Sequence, residues 1–572
     1  MSYRVREDHK LEATLPMHTP APYDMSNLRI SACVDGLRLI KLSLSGSYDA
    51  VLAGGHYGVC GRRAPDDPTT ERQVVAYGRV QETQFTLCEV VYTARWFLSS
   101  DFPVLYLRLC AESCRPFSLE YNFGVQCLPE RLHLLCSAPL TLRECEGDYL
   151  HYTATENAQA RRDAFFAELT LAFDLGLMLA QDALLGSAAE AEADAEAYFA
   201  MLLSTAKSGE DAAFKAYALN AAFSSYKSFE GFSGFFAGVN YAAPARTYYR
   251  DGYYTALVVL PYRPDWVKEQ LVTLARGIAD DGSCGSAVDA HGAPWWLEHT
   301  DSPLFFALLL YAYVANTGDS GILREAQIAQ KLANILNQTT AALDENGLLT
   351  RAPASRHDWA DNVFREGYVT YIQCLAFGAL RLGGSLLPNA ARYAEAAENI
   401  KEGVNCELWC EELGYYVNFK TPEETETNLS LDTVFAALFD IASPERAKRM
   451  LSRMEALLET QNNARFGEVG TLCVYPPYAS SSRLVEKSAD PLRYHNGADW
   501  PYLSSLYAFA KKVNGMEYRY ALTRWYEIGL EQCFATPVEY FSPYYPAGGM
   551  LQGWSAFASF AMERESASGV FR

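Results

Sequence analysis

The chain is 572 residues long, 49% hydrophobic and only 20% charged, a composition that fits a globular protein and excludes a disordered one. Its net charge of −21, with no Lys/Arg run, excludes a duplex-binding surface and disfavours an anionic membrane, but leaves a neutral ligand unaffected. At roughly 100–200 residues per domain, the length calls for more than one core.

Residues Met1 to His18 are polar and hold no apolar signal core. The longest apolar stretch, Pro303 to Ala315, is about half of a membrane span. These features predict a soluble, cytoplasmic protein. Residues 1–183 read as β. Phe85–Tyr92, Val104–Leu109, Leu132–Leu135 and Leu169–Phe173 are rich in strand formers, and turn residues punctuate them at about ten-residue intervals. That spacing predicts an antiparallel β-sandwich. The patch Gly54-Gly55-His56-Tyr57-Gly58 lacks a GxGxxG pattern and reads as a turn. The 14 cysteines include no CxxC pair and the nine histidines no HxxxH pair, so free thiols, no metal site and no cofactor are expected.

Composition shifts after residue 183. Ser187–Glu196 is an Ala/Glu run without β-branched residues and predicts a helix within a linking segment, 184–234. From 235 to 572 the period is helical, in two kinds. Segments 320–337 and 444–460 are amphipathic, with Ile328, Leu332, Ile335 and Leu336 in the first and Ala447, Met450, Leu451, Met454, Leu457 and Leu458 in the second. Pro303–Tyr311 is apolar all round and must be buried on every side. Alternation of the two kinds predicts two concentric rings, an (α/α)6 toroid.

Six polar loops with an acid or amide and an aromatic residue recur at about 50–70-residue intervals before apolar helices. They are Tyr249–Gly252, Glu298–Pro303, His357–Asn362, Asn428–Asp432, His495–Pro501 and Gly548–Trp554. For any single loop, helix capping is a sufficient explanation of the acid. Capping does not require Tyr248, Tyr249, Trp295, Trp296, Trp359, Trp500 and Trp554 beside it. A carbohydrate does: carboxylates and amides bridge hydroxyls, and flat rings cover sugar C–H faces.

These residues carry a resemblance. The helical part resembles the six-hairpin glycosidases, most closely the amylo-α-1,6-glucosidase domain of glycogen-debranching enzymes and its glucoamylase and trehalase relatives. Arg250-Asp251 resembles the group's Gly-Arg-Asp-Thr segment, which holds the terminal sugar. Trp359-Ala360-Asp361-Asn362 resembles its Trp-x-Asp segment, whose Asp is the general acid. Asn496-Gly497 with Trp500-Pro501 resembles Asn-Gly-x-x-Trp-Pro. Val538-Glu539-Tyr540-Phe541 resembles the Glu-x-Phe segment that carries the general base, and Gln552-Gly553-Trp554-Ser555 the later Gln-x-Trp-Ser. Gly252-Tyr253 and Ser542-Pro543 depart from the group's pattern and bear on which sugar is taken.

The resemblance implies an inverting exo-glycosidase on an α-linked glucoside or short oligosaccharide, with Asp361 as acid and Glu539 as base. Asp358, on the same loop, competes for the acid's role. Glycoside hydrolysis needs such a pair, one carboxyl protonated and one ionised. Candidate substrate ligands are Tyr249, Arg250, Asp251, Trp296, Asp301, His357, Asp358, Trp359, Asn496, Trp500, Gln552 and Trp554. His299, His357 and His495 read equally well as hydroxyl donors or as satisfied structural histidines, and Asp432 and Asp499 equally well as caps. A disaccharide phosphorylase and an α-rhamnosidase share the predicted architecture, and a carbohydrate-binding protein would keep the bowl without the chemistry. The β-region could cover the rim of the site or serve a homodimer.

Overall fold

The computed structural model describes residues 2–572 except 47–49, 52–57, 60–61, 64–69, 127–130, 147–148, 208, 210, 239–240, 242–243, 326, 464 and 480–482. The Gly54–Tyr57 stretch of the glycine-rich patch lies outside the described residues. The chain divides into two compact units. One comprises Met1–Glu230, Gly238–Ala245 and Gly529–Pro537, the other Gly231–Ala237, Arg246–Ile528 and Val538–Arg572.

The first unit is antiparallel β. Its strands are β1 (Leu11–Pro16), β2 (Tyr23–Ser26), β3 (Ile30–Asp35), β4 (Arg38–Leu44), β5 (Glu71–Tyr77), β6 (Val80–Leu87) and β7 (Val90–Leu98), then β8 (Val104–Ser113), β9 (Ser118–Gln126), β10 (His133–Cys136), β11 (Leu140–Glu146), β12 (Tyr149–Asn157) and β13 (Ala164–Asp174). The largest sheet runs β1-β5-β6-β7-β8-β13-β10, with Arg4–Val5 beyond β1 and Gln159–Arg161 also on β13. Smaller sheets join β2-β3-β4 and β9-β12-β11. Alternation sets the faces: along β7, Val90, Tyr92, Ala94 and Trp96 are buried while Val91, Thr93 and Arg95 are not. The Ala/Glu run lies in helix α1 (Leu184–Ala206), which contacts β7 and β13. Arg95 and Arg108, on β7 and β8, pair with Glu192 of α1, and Arg95 also with Glu196. α1 packs on α2 (Ala212–Ser225), and both belong to the β-rich unit.

The second unit is helical, and its helices alternate in burial. α3 (Tyr249–Val259), α5 (Ser302–Thr317), α7 (Thr370–Gly378), the short α9 (Phe435–Leu438), α11 (Pro501–Val513) and α13 (Phe557–Glu563) are buried along most of their length. α4 (Pro264–Arg276), α6 (Ile328–Ala341), α8 (Ala390–Gly403) and α10 (Pro444–Leu458) bury one face each, and α12 (Arg519–Glu531) buries Ala521, Leu522 and Trp525. The buried helices pack on one another: α3 on α5 and α13, α7 on α5 and α9, and α11 on α13 and on the 3-10 turn Leu431–Val434 that opens α9.

α10 follows the predicted amphipathic period, but the 320–337 segment does not form one helix. Ser320–Arg324 is a 3-10 turn, and α6 begins only at Ile328. Two π-helical turns, Ala379–Gly383 and Val404–Leu408, extend α7 and α8. Among the described residues, no helix is long and apolar enough to cross a membrane.

Candidate active site

The polar loops differ from the expected plan in two ways. Arg250 and Asp251 lie inside the first turn of α3, not ahead of it. The His357–Asn362 loop does not run straight into α7, because a strand, Arg365–Val369, intervenes.

Capping does not account for the acids. Asp301 occupies the N-cap position of α5 but makes no side-chain cap bond. Its carboxylate accepts instead from Arg250 Nη1 at 2.7 Å and Tyr371 Oη at 3.0 Å, and faces His299 Nδ1 at 3.2 Å. Burial alone would raise the Asp301 pKa; the Arg250 charge and His299 outweigh it and bring it down to about 2. Asp358 is fully buried between two guanidiniums, with Arg365 Nη2 at 2.7 Å and Arg351 Nη1 at 2.6 Å. Against the penalty of burial, these two hold it well below the usual carboxylate range. Asp432 accepts from Arg365 Nη1 at 2.7 Å and Trp359 Nε1 at 2.5 Å. Asp499 accepts from Ser504 Oγ at 2.5 Å and Thr471 N at 3.0 Å, and burial lifts it to about 7.

Asp361 is placed differently. It lines a cavity of about 580 Å³ together with Trp295, Trp296, Arg356, Asn362, Glu486, Lys487 and Tyr494. Its side chain keeps 22% exposure, and its one ion-pair neighbour among the described residues is His495, with Nδ1 3.5 Å from Oδ1. Burial first, then the negative charges of Glu539 and Asp358, push Asp361 up to about 7 against the opposing charges of Arg250 and Arg356. His495 does not supply a compensating cation, since burial drives its pKa well below the ordinary value. Its Nδ1 accepts from Asn362 N at 3.3 Å, which leaves the ring proton on Nε2. An unprotonated Nδ1 facing Oδ1 favours the protonated form of Asp361.

Glu539 is held by a short bridge between Val538 and Met550 and by its own N–H on Gly549 O at 2.9 Å. Its carboxylate accepts from Tyr494 Oη at 3.2 Å and Gly549 N at 3.3 Å. Burial raises its pKa, and Lys487 is the largest opposing influence. A Cβ on Gly548 would lie 2.5 Å from the Glu539 Cβ, so this turn closes only around a glycine. Glu539 does not itself line the cavity, but Tyr494 and Lys487 do. Asp251 shares this neighbourhood: burial lifts it to about 6, with Arg250 lowering it and Glu539 and Asp301 raising it.

Aromatic rings pack behind the carboxylates. His495 stacks on Trp500 at 4.7 Å and meets Trp359 edge-on at 5.0 Å, while Tyr502 stacks on Trp554 at 4.3 Å. Trp296 stands edge-on to His299 and His357. Four buried polar atoms on the predicted loops have no hydrogen-bond partner among the described residues: Arg250 Nε, His299 Nε2, Gln552 Oε1 and Trp554 Nε1. Two expected ligands are otherwise engaged. Tyr249 Oη donates to Leu274 O at 2.7 Å, and the Asn496 amide bonds the backbone of Tyr478 and Ser488. Lys487 and Tyr494 carry no motif signal, although Tyr494 directly precedes His495. Arg351 and Arg365, which set the charge state of Asp358, lie in strands flanking its loop.

The family described as amylo-alpha-1,6-glucosidase matches residues 256–559, just over half of the chain. No curated protein sequence matches. Among solved structures, a bacterial glucoamylase complexed with acarbose is similar at a TM-score of 0.58 and 10% identity, covering 98% of this chain and 97% of its own. A rhamnosidase from Klebsiella oxytoca with rhamnose bound is similar at a TM-score of 0.50 and 14% identity, covering 95% of each chain. At these identities the likeness is one of fold.

Proposed function

The chain belongs to the amylo-α-1,6-glucosidase family, and from that premise we propose that it is an inverting, exo-acting glycoside hydrolase on an α-linked glucoside or short oligosaccharide. One observation carries the reading. Asp301 on the second loop and Asp358 on the third are neutralised by arginine, while Asp361 stands in a cavity with no arginine ion pair among the described residues and is drawn to about 7. A carboxyl that is protonated near neutrality can act as a general acid.

In this mechanism Asp361 gives its proton to the glycosidic oxygen as the bond to the anomeric carbon breaks. Glu539 takes a proton from a water, whose oxygen attacks the same carbon from the opposite face. The leaving group departs as an alcohol, the sugar is released with inverted configuration, and an inverting pair stands about 6.5–9.5 Å apart. Tyr494 and Gly549 aim the Glu539 carboxylate. Asp251, Arg250, Gln552 and Trp554 bind hydroxyls, with Trp296 on the cavity wall. Asp301, Asp358, Trp359, Trp500 and His357 act mainly by bracing these groups.

The proposed catalytic part is 235–572, with 1–183 as the β-domain and 184–234 between them. Its architecture is an (α/α)6 toroid with α3, α5, α7, α9, α11 and α13 as the inner helices. Their serial packing and the likeness to glucoamylase support this. The acarbose in that neighbour supports an α-glucoside. The test is a panel of α- and β-glycosides, with the first-formed anomer read by proton NMR. An inverted sugar is expected, together with a 100-fold or greater loss in Asp361→Asn, on the order of general-acid contributions. A retained anomer, or turnover unchanged in Asp361→Asn, overturns the assignment.

A further inference from the structure

A second cavity, of about 710 Å³, adjoins the one that holds Asp361. Arg356 lines both. The segment 355–362 runs past the two: Ser355 and His357 line the second, Asp361 and Asn362 the first. Trp296, on the wall of the first, meets His357, on the wall of the second, at 5.3 Å. A cavity of this size is ample for a small ligand.

The walls differ in chemistry. The first offers two carboxylates, an amide, two cations, a phenol and two indoles, which suit a hydroxyl-rich ring. The second has a buried aliphatic floor of Leu304, Val369 and Ile372. Most of its polar side chains are already committed within the protein. The Gln373 amide is bonded at both ends to Leu349, at 2.7 and 3.0 Å. Arg351 is held by Asp358, Ser355 O and Thr300. Thr339 and Thr350 donate to Ile335 O and Asp344. Glu298 and Gln338 stand at the exposed edge. His299 Nε2 is the one buried polar side-chain atom of this wall without a protein partner among the described residues. A sugar ring buried here would leave most of its hydroxyls unmatched, which is unfavourable, whereas an apolar group would lose nothing.

We propose that this second cavity is the leaving-group site and that it takes an apolar aglycone, an alkyl or aryl group bearing at most one hydroxyl, in preference to a further sugar. The inference rests on Asp361 being the acid: the leaving oxygen departs on the side of its proton donor, and the loop that carries Asp361 is part of the cavity wall.

Two measurements on the full chain test it. Binding of primary alkanols from butanol to octanol, followed by saturation-transfer NMR, should tighten about fourfold per methylene, as burial of each CH₂ implies. The same dependence should appear in kcat/KM along methyl to octyl α-D-glucosides. Ala342→Trp and Ala354→Phe, at exposed and half-buried positions of the wall, fill the cavity. Both should flatten the two series and leave methyl glucoside turnover unchanged, with far-UV circular dichroism and melting temperature as controls of folding. Alkanol binding without chain-length dependence, or undiminished in both filled variants, overturns the site. Alkanol binding that follows chain length while kcat/KM stays flat, or no glucoside of the series being turned over, overturns its role for the leaving group. Loss of turnover in Asp361→Asn alongside a flat series sinks this inference alone. Turnover that persists in Asp361→Asn sinks the acid assignment as well.

Discussion

Asp358 and Asp361 are three residues apart, yet their surroundings assign them opposite charge states. Asp358 faces Arg351 and Arg365; Asp361 faces a neutral imidazole, and burial with the charges of Glu539 and Asp358 outweighs the more distant Arg250 and Arg356. The folded chain therefore favours the protonated carboxyl at 361. That stabilisation is complete below about pH 4, the unfolded value, and is lost as pH rises through about 7. An asparagine in place of Asp361 mimics the neutral form, so the melting temperature of Asp361→Asn should gain on wild type between pH 4 and 7 and hold its lead above that. Asp358 is depressed, so its contribution is present at neutral pH and fades only in acid. Asp358→Asn should cost roughly 3–5 kcal/mol at pH 7, because it breaks a buried pair. Two variants with parallel pH–stability curves would contradict both assignments. The Trp-x-Asp resemblance points to Asp361, but nothing local in the loop tells the charge state of one acid from that of the other. What separates them is two arginines, one before the loop and one after, whose side chains return to it only in the folded chain.

Among elements, the strand Arg365–Val369 does most to order the site. Arg365 is 1% exposed and bonds Asp358 on the third loop and Asp432 at the head of α9. Arg365→Met should destabilise by about 3–5 kcal/mol, since it strands two buried carboxylates. Adding Asp358→Asn and Asp432→Asn should recover part of that loss in urea titrations. No recovery would mean that the guanidinium acts through packing alone. The turn Glu539–Gly549 is the other ordering element. Gly548→Ala places a methyl 2.5 Å from the Glu539 Cβ and 2.8 Å from Oε2. We expect kcat to fall about 10- to 100-fold, the range for a displaced catalytic group, with KM changed less. An unaltered kcat would show that the turn can absorb the methyl. Legibility varied among elements for physical reasons. α10 was readable because five apolar residues on one face leave a 3.6-residue period. The strand before α7 was not: Arg365-Glu366-Gly367-Tyr368-Val369 is short, and it is held between Arg351–Ser355, across the third loop, and Phe419–Lys420, far along the chain. The π-helical turns left no local mark at all. Composition marks the loops, but an acid before a helix reads as a cap until the folded chain brings arginines to it: Arg250 to Asp301, Arg351 and Arg365 to Asp358, and Arg365 to Asp432.

At the scale of the whole molecule, the chain crosses between its compact units several times, at 230, 237, 245, 528 and 537. Each unit nonetheless has its own core: Trp96, Tyr92 and Tyr106 are buried in the β-rich one, Trp500, Trp525 and Tyr253 in the helical one. Chains built of more than one unit commonly depart from a single two-state transition. The nine tryptophans make this testable, because Trp96 alone lies in the β-rich unit and the other eight lie in the helical one. Tryptophan fluorescence therefore reports the helical unit almost exclusively, while far-UV circular dichroism reports both. In urea the two probes should give different midpoints. Asp358→Asn should then lower the fluorescence midpoint and leave a distinct part of the dichroism transition in place. If instead both probes trace one transition, and Asp358→Asn shifts them equally, the β-rich unit unfolds with the helical one, and the charge pairing around the third loop sets the stability of the entire chain.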